Sequence, residues 1–576
     1  MIYVHPGTDL NVLSDSTREI QLAADANAFE ALHGQRTGDR SLPTVLEVSR
    51  GLRRQGVTVR WMVPLLPSLV YRLEALFSLA RDEGVDPVLT EAHPDLTEED
   101  RFFAADFITY RLLEEERHLH SADRIRGYEA LRDALAGGTF QSPRREPLER
   151  TRFGRFVDQA IDARGVIADG SLAAVEWIRA GVTGLMRARP PMGAGQRFES
   201  VLIIGAYGGE HIGDAAILGG VLLRLNRSYG TTEATVMSQR PGHTRHLLSM
   251  LDTPFKIDVQ AYEHANIRER LRCVDAVVFA GGPLTDLPKQ LVRHLYAVAL
   301  GRQSGKPFIA EGVGPGPFGR RLSAWTARRV IRMADRISIR TSEGSRSQLM
   351  KGLSPTVSGD PAFDYLATRG ASLTRLPERD EQAIDRLLEN TAGRVVVGLN
   401  LRPIRHLFTV GASPSTRAEF TREVEARFYE RLAEGVRLFH QASSVPPCFI
   451  FVPMNAIQFG MSDLRSAYRL QRLLRGDVDL RVWEGDASLD GVVAICRRLD
   501  VAICMRFHAA IFALSQHRRV IGIDYRVGAP DKVRALLDDV GQSENCTRID
   551  EMTARWLVER LHTLAPGAHV APNRTL

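Results

Sequence analysis

The chain has 576 residues, 44% of them hydrophobic and 25% charged, with a net charge of +6 and a pI near 9.1. That length exceeds one hydrophobic core, so two or three domains are expected. The composition is that of an ordinary soluble globular protein, and the mild basic excess suits anionic substrates without amounting to a nucleic-acid footprint.

Lysine is confined to Lys256, Lys289, Lys306, Lys351 and Lys532; every other basic side chain is arginine. A bound carboxylate or phosphate would therefore mostly meet guanidinium forks. The five cysteines, Cys273, Cys448, Cys496, Cys504 and Cys546, form no CxxC pair. No zinc or iron–sulfur spacing follows from them, and a reducing compartment fits. MIYVHPGTDL lacks the basic-then-apolar order of a secretory signal. The apolar stretch 57–77 is broken by Arg60, Pro64, Pro67, Arg72 and Glu74, so it is not a membrane span. A cytoplasmic location is expected.

Residues 1–136 read as a separate α/β-helical region of unassigned role, with helices expected at 44–54 and 69–83 and strands at 57–63 and 86–89. The acidic run Glu114–Glu116 reads as a solvated helix face. A linker and helix occupy 137–195, rich at first in glycine, proline and charge.

From residue 196 the pattern becomes regular. Strands at 201–205, 234–238, 276–280, 307–310 and 336–340 alternate with helices at 214–225, 242–251, 289–304, 322–333 and 343–351. A polar connector spans 367–393. A second alternation fills 394–545, with strands at 395–400, 448–453, 480–483, 501–505 and 520–525, and a helical tail runs from 546 to 576. Repeated βα units mean parallel sheets. The expected fold is α/β: a first Rossmann-like domain at 196–366 and a second at 394–545, both doubly wound and facing a cleft.

The glycines sit where ligands bind in such sheets. VLIIGAYGGEHIGDAAI closes a strand at Gly205, places Gly208, Gly209, His211 and Gly213 in a loop, and opens a helix at Asp214. Glycines at a helix N-terminus let an anion approach backbone N–H groups, although such turns also serve sterics alone. Asp214 is equally read as a helix-capping charge. Two further strands run into Gly281 and Gly282, and into Gly312, Gly314 and Gly316.

VAICMRFHAA ends a buried strand at Arg506 and opens a helix at His508, with Phe507 turned to the core. The arginine offers a bidentate clamp for a carboxylate or phosphate, and the histidine a proton near neutral pH. Arg340, ending another strand, is read as an anion contact or a surface arginine; Arg402 and Arg405 are weaker candidates. No metal-ligand spacing, HEXXH, P-loop or GxSxG arrangement is present.

The ordered series GAYGGEHIGDAAI, DAVVFAGGPLTD, EGVGPGPFG, SIRTSEGSRSQL, SGDPAF and MRFHAAIFALSQHRRVIGIDY resembles the polysaccharide pyruvyl transferase family over about residues 200–545. The resemblance implies a GT-B-like pair of domains, phosphoenolpyruvate as donor and a sugar, glycan or lipid-linked sugar diol as acceptor. The product would be a pyruvate ketal, with phosphate released. It places the donor on Arg506, with Arg340 assisting, and makes His508 the acid; Asp214 would orient the acceptor hydroxyl. The family usually has asparagine where this chain has His211, which adds a second proton carrier. No cofactor or metal is expected and no nucleic-acid partner; peripheral membrane association and a homo-oligomer stay open. Two rival readings remain: a nucleotide-sugar glycosyltransferase using Glu484 and Asp486 for the ribose, or a non-catalytic glycan-binding scaffold.

Overall fold

A computed structural model describes residues 2–3 and 19–23, most of 49–135, and 195–565 with short breaks. The chain divides into two compact units. One is Met1–Glu149 with Ala456–Tyr468 and Glu484–Asp486; the other is Arg150–Asn455, Arg469–Trp483 and Ala487–Leu576.

In the first unit, β1 (Ile2–Tyr3), β2 (Glu19–Ala23), β3 (Thr58–Leu65) and β4 (Asp86–Ala92) form a parallel sheet in that order. Buried Trp61, Val63 and Leu65 line β3, and the Trp61 indole N–H donates to Ser49 Oγ at 2.9 Å. Helix α1 (Glu98–Phe107) runs into a π-helical stretch, Ile108–Glu115, and α2 (Ala122–Leu135) follows. Arg124 holds Asp86 through two hydrogen bonds of 2.9 Å, tying α2 to β4. The strands expected at 57–63 and 86–89 are present, and β1 and β2 add to them. The linker at 137–152 and the helix expected before residue 190 lie outside the described residues.

The second unit contains both Rossmann-like sheets. The first is built from β5 (Ser200–Ile204), β6 (Glu233–Ser238), β7 (Lys256–Ala261), β8 (Ala276–Leu284), β9 (Phe308–Pro315), β10 (Arg336–Ile339) and β11 (Thr356–Val357), in the order β11-β10-β9-β8-β5-β6-β7. All its pairings are parallel. Its helices are α3 (Ile212–Tyr229), α4 (Pro241–Ser249), α5 (His264–Arg270), α6 (Pro288–Gln303) and α7 (Arg321–Arg332), followed by α8 (Ala362–Ser372) and α9 (Glu378–Leu388).

The second sheet, β12 (Val396–Asn400), β13 (Cys448–Phe451), β14 (Leu480–Val482), β15 (Val501–Cys504), β16 (Arg519–Asp524) and β17 (Cys546–Arg548), has the order β14-β13-β12-β15-β16-β17 and is also parallel. Helices α10 (Pro414–Ala442), α11 (Leu489–Cys496), α12 (Phe507–Ser515), α13 (Lys532–Asp539) and α14 (Ala554–Leu564) accompany it. The strands read as apolar runs because helices cover both faces of a parallel sheet.

Strand order reverses between β5 and β8 in one sheet and between β12 and β15 in the other. Those switch points open a crevice beyond the carboxyl ends of the strands. Helices α3 and α12 start from them, and α8 packs against both. One hydrophobic cluster joins the two sheets, running from Val201 and Ala216 through Tyr365 and Leu366 to Ala510 and Ile511. The GT-B-like pair of Rossmann-like domains is thus realised.

Several local expectations are corrected. Gly281, Gly282, Gly312 and Gly314 lie within strands rather than in loops: β8 and β9 stay paired beyond the rest of the sheet, through Gly282 opposite Val313 and Pro283 opposite Gly314. Gly282 takes φ +91°, which a side chain would resist. The helix expected at 343–351 is two short pieces, Ser342–Ser345 and Gln348–Met350. Residues 367–372 extend α8 instead of opening a connector. The tail begins with β17, an edge strand too short and polar to read as one. Strand β7 is likewise absent from the sequence pattern, because KIDVQA is half-exposed at the opposite edge.

Candidate functional site

His211 is the N-cap of α3. Its Nδ1 accepts the Gly213 N–H at 3.1 Å, and Asp214 Oδ2 accepts the His211 N–H at 3.1 Å, completing a capping box. Asp214 N–H donates to the His211 carbonyl at 2.8 Å. The N–H groups of Gly213 and Asp214 are therefore used inside the helix start, and neither is offered to an anion. Gly208 and Gly209 lie outside the described residues.

Gly213 has a different task. A Cβ there would lie 2.3 Å from the Cβ of His508 and 2.4 Å from its Cγ. Only a bare backbone lets the first turns of α3 and α12 meet, and their meeting sets the His211 and His508 rings 5.0 Å apart, edge to face. His508 is buried and its Nε2 has no hydrogen-bond partner among the described residues. Burial drives its pKa well below the ordinary histidine value; Asp214 opposes this, while His211, Arg340 and Lys532 add to it. At neutral pH the imidazole is therefore held in its neutral form.

The third element is Arg340, just past β10. It is buried and stands 3.5 Å from the buried carboxylate of Asp360 through Nη1 and Oδ2. Neither of those two atoms has a hydrogen-bond partner among the described residues. The guanidinium lies 4.6 Å from the centroid of the Phe507 ring, and that ring meets His508 edge-on. On its other side a Cβ at Gly314 would fall 2.4 Å from Nη2, so that glycine makes room for the arginine. Asp360 Oδ1 accepts the Ala362 N–H at 2.9 Å. Burial raises the Asp360 pKa, with Arg340 the main group pulling it back.

A polar network holds the strand ends below this pair. Glu311 accepts from Arg224 at 3.0 Å and from Ser338 Oγ at 2.7 Å. Ser338 Oγ in turn accepts the Gly312 N–H at 2.8 Å, so that N–H is also committed. Arg224 reaches Asp364 at 2.5 Å and Ser358 Oγ at 2.9 Å.

Arg506 is the buried N-cap of α12, two residues before His508. Arg402 lies over the Tyr525 ring at 4.8 Å, and Arg405 lies outside the described residues. Glu484 accepts a hydrogen bond from Tyr468 Oη at 3.3 Å; Asp486 is not described. The structure brings His211, Gly213, Asp214, Gly314, Arg340 and His508 together. It adds three residues to which the sequence alone assigns no role. Asp360 stands inside the quoted SGDPAF motif, Lys532 is one of only five lysines, and Phe507 is expected in the core but not beneath an arginine.

His211, Asp214 and His508 also form a donor set of the kind that holds a metal, with ligand atoms within 4.8 Å of one another. The cap decides how they are used. A neutral imidazole that accepts at Nδ1 carries its proton on Nε2. His211 Nε2, which faces Asp214 Oδ2 at 3.8 Å, thus has no lone pair for a cation while the cap is intact.

The polysaccharide pyruvyl transferase family matches residues 211–440 and 457–526, just over half of the chain. The chain belongs to that family. This makes it a transferase of polysaccharide modification, and its His211–Asp214 cap, Arg340 and His508 all fall within the matched residues. No curated protein matches the chain. Among solved structures it is similar to Staphylococcus aureus MnaA in a co-structure with UDP, at 12% identity and TM-score 0.40 over 64% of this chain and 88% of that one. It is also similar to E. coli ADP-heptose lipopolysaccharide heptosyltransferase II (11%, TM-score 0.34, 64% and 98%) and Acinetobacter baumannii MurG (13%, TM-score 0.35, 64% and 90%). Among the described residues no helix is long and apolar enough to cross a membrane.

Proposed function

We propose that this polysaccharide pyruvyl transferase family member moves the enolpyruvyl group of phosphoenolpyruvate to a sugar or glycan diol as a pyruvate ketal, releasing phosphate. The observation that carries the reading is a pair of buried polar atoms without hydrogen-bond partners among the described residues: Arg340 Nη1 and, across the Phe507 ring, His508 Nε2. A buried guanidinium whose Nη1 makes no hydrogen bond among the described residues, and meets Asp360 only at 3.5 Å, favours a carboxylate or phosphate. A buried imidazole with a spare nitrogen favours a group that gives or takes a proton.

The donor is an enol phosphate and reacts when its terminal carbon is protonated. His508 supplies that proton, and positive charge develops on the carbon bearing the phosphate oxygen. An acceptor hydroxyl attacks that carbon and its proton returns to His508. The C–O bond to phosphate then breaks, the second hydroxyl attacks the resulting cation and closes the ketal, and its proton leaves with phosphate. Arg340 stabilises the anionic donor and the departing phosphate, with Arg506, the N-cap of the helix that carries His508, assisting. Asp214 orients the acceptor hydroxyl in this reading.

Burial holds the His508 pKa well below the ordinary histidine value, so His508 must gain its proton with the donor. A trianion brought beside the imidazole supplies the charge that favours the imidazolium. No cofactor or metal is needed for this chemistry.

The test is thermal melting of the full chain with phosphoenolpyruvate or a panel of UDP-sugars, since a ligand that binds only the folded state raises Tm. Expected is a rise with phosphoenolpyruvate alone. A rise with a UDP-sugar and none with phosphoenolpyruvate would overturn the reading in favour of glycosyl transfer.

A further inference from the structure

Helix α7 (Arg321–Arg332, RLSAWTARRVIR) carries two faces with opposite tasks. Ser323, Thr326, Ala327, Val330 and Ile331 are buried and seat it on the first sheet's helical layer beside α6. With Ala324 at the boundary, the outer face consists of Arg321, Leu322, Trp325, Arg328, Arg329 and Arg332. At 100° per residue these positions fall on one arc of about 120°.

Two observations mark this arc as a binding surface. Leu322 is 50% exposed and Trp325 45%, and they are neighbours one turn apart. The other large exposed apolar residues among those described, Val357, Val445 and Val540, lie elsewhere in the chain, each apart from the others. The second observation is charge. The helix contains no acidic residue, and Arg321, Arg329 and Arg332 have no ion-pair partner among the described residues. Arg328 donates to the Lys351 carbonyl at 3.0 Å, which brings a fifth cationic residue, itself exposed, to the end of the arc.

Exposed leucine and tryptophan among arginines that no carboxylate neutralises is the pattern of a helix that lies flat in an anionic lipid surface. The indole and leucine enter the headgroup boundary and the guanidinium groups meet lipid phosphates. A polar polyanion such as an acidic glycan would pair with the arginines and leave Leu322 without apolar cover, so the apolar pair on the arc favours lipid. We propose that α7 is a monotopic attachment surface, by which the enzyme docks reversibly on membranes rich in anionic lipid. The inference stands on α7 alone and does not depend on the identity of the donor.

The experiment is co-sedimentation of the full chain with phosphatidylcholine vesicles, with and without 30% phosphatidylglycerol (about that fraction gives a strongly negative surface). Binding is expected to the anionic vesicles only and to weaken as salt is raised. Leu322→Ser with Trp325→Ser, and separately Arg329→Glu with Arg332→Glu, are each expected to lower the bound fraction roughly tenfold. These are surface positions, so unchanged circular dichroism and melting show that the variants fold. Failure to bind anionic vesicles, or binding that both double variants retain, would overturn the proposal. So would a lipid-free dimer that Trp325→Ser dissociates, since a second copy would then cover the arc. Melting with phosphoenolpyruvate reports on the donor site independently.

Discussion

Gly213 and His508 touch across the two sheets: there is no room for a β-carbon on the first because the Cβ of the second would stand 2.3 Å away. The contact brings α3 and α12 together and fixes the height of the His508 ring. Gly213→Ala is therefore expected to push His508 from its place. Turnover should fall by at least about tenfold, with a loss of order 1–3 kcal/mol from overpacking. Steady-state kinetics beside thermal melting check both; wild-type turnover in the Gly213→Ala enzyme would show that His508 need not sit there.

His211 performs the local work that an asparagine side chain would do, accepting the Gly213 N–H at the start of α3. Loss of such a cap costs about 1 kcal/mol, while exchange for another good capping residue costs little. His211→Ala is expected to lower Tm and His211→Asn to leave it near wild type. A drop in turnover in the His211→Asn variant, with Tm retained, would assign the ring a proton role beyond capping. The committed Nδ1 also predicts that chelation leaves turnover unchanged; loss on EDTA with recovery on zinc would mean that the cap opens to a metal.

Arg340 and Asp360 face each other inside the protein at 3.5 Å. Removing one partner of a buried pair strands the other charge, at a cost of about 3–5 kcal/mol. Asp360 is already pushed toward its neutral form by burial, so Asp360→Asn is expected to be tolerated better than Arg340→Met. Chemical denaturation distinguishes the two. Equal losses would mean that the Asp360 carboxylate is fully charged in the folded protein.

The fold also carries a pH signature away from the site. His294 on α6 is buried, with Nδ1 2.6 Å from Tyr262 Oη. Burial, with Arg293 nearby, takes its pKa down to about 3. The unfolded chain then binds a proton near pH 6.5 that the folded chain refuses, so stability falls as pH drops through 6.5 and keeps falling toward 3. Between pH 7 and 5 this amounts to about 2 kcal/mol. Denaturation of wild type and His294→Gln at the two pH values measures it. The variant should be less acid-sensitive by that amount, and an unchanged difference would mean that His294 is protonated in the folded state.

How much of this is legible in the sequence depends on burial. Central strands such as Val201–Ile204 and Val501–Cys504 are apolar along their whole length, and their alternation with helices is readable. Edge strands are not: Lys256–Ala261 carries polar residues on a half-exposed face, and Cys546–Arg548 has three residues. The site divides similarly. Arg340 and His508 stand just after strands, a position that carries meaning in a parallel sheet. Asp360 lies farther along the chain and meets Arg340 only because the chain returns past β11, a closure that no local pattern encodes. The glycines stand out in the sequence for the wrong property. Gly213 and Gly314 matter for the side chains they admit, His508 and Arg340, and the Gly213 N–H is used by the cap.

The most direct measurement is calorimetric titration of phosphoenolpyruvate at pH 7 in two buffers of different ionisation heat, on wild type, His508→Gln and Arg340→Lys. Neutral His508 must take up a proton when the anionic donor arrives. Wild type should bind with net proton uptake, the His508→Gln variant should bind with that uptake lost, and the Arg340→Lys variant should bind much more weakly. Binding with no proton uptake in wild type, or with affinity indifferent to Arg340, would contradict the assignment of His508 and Arg340 as acid and donor clamp.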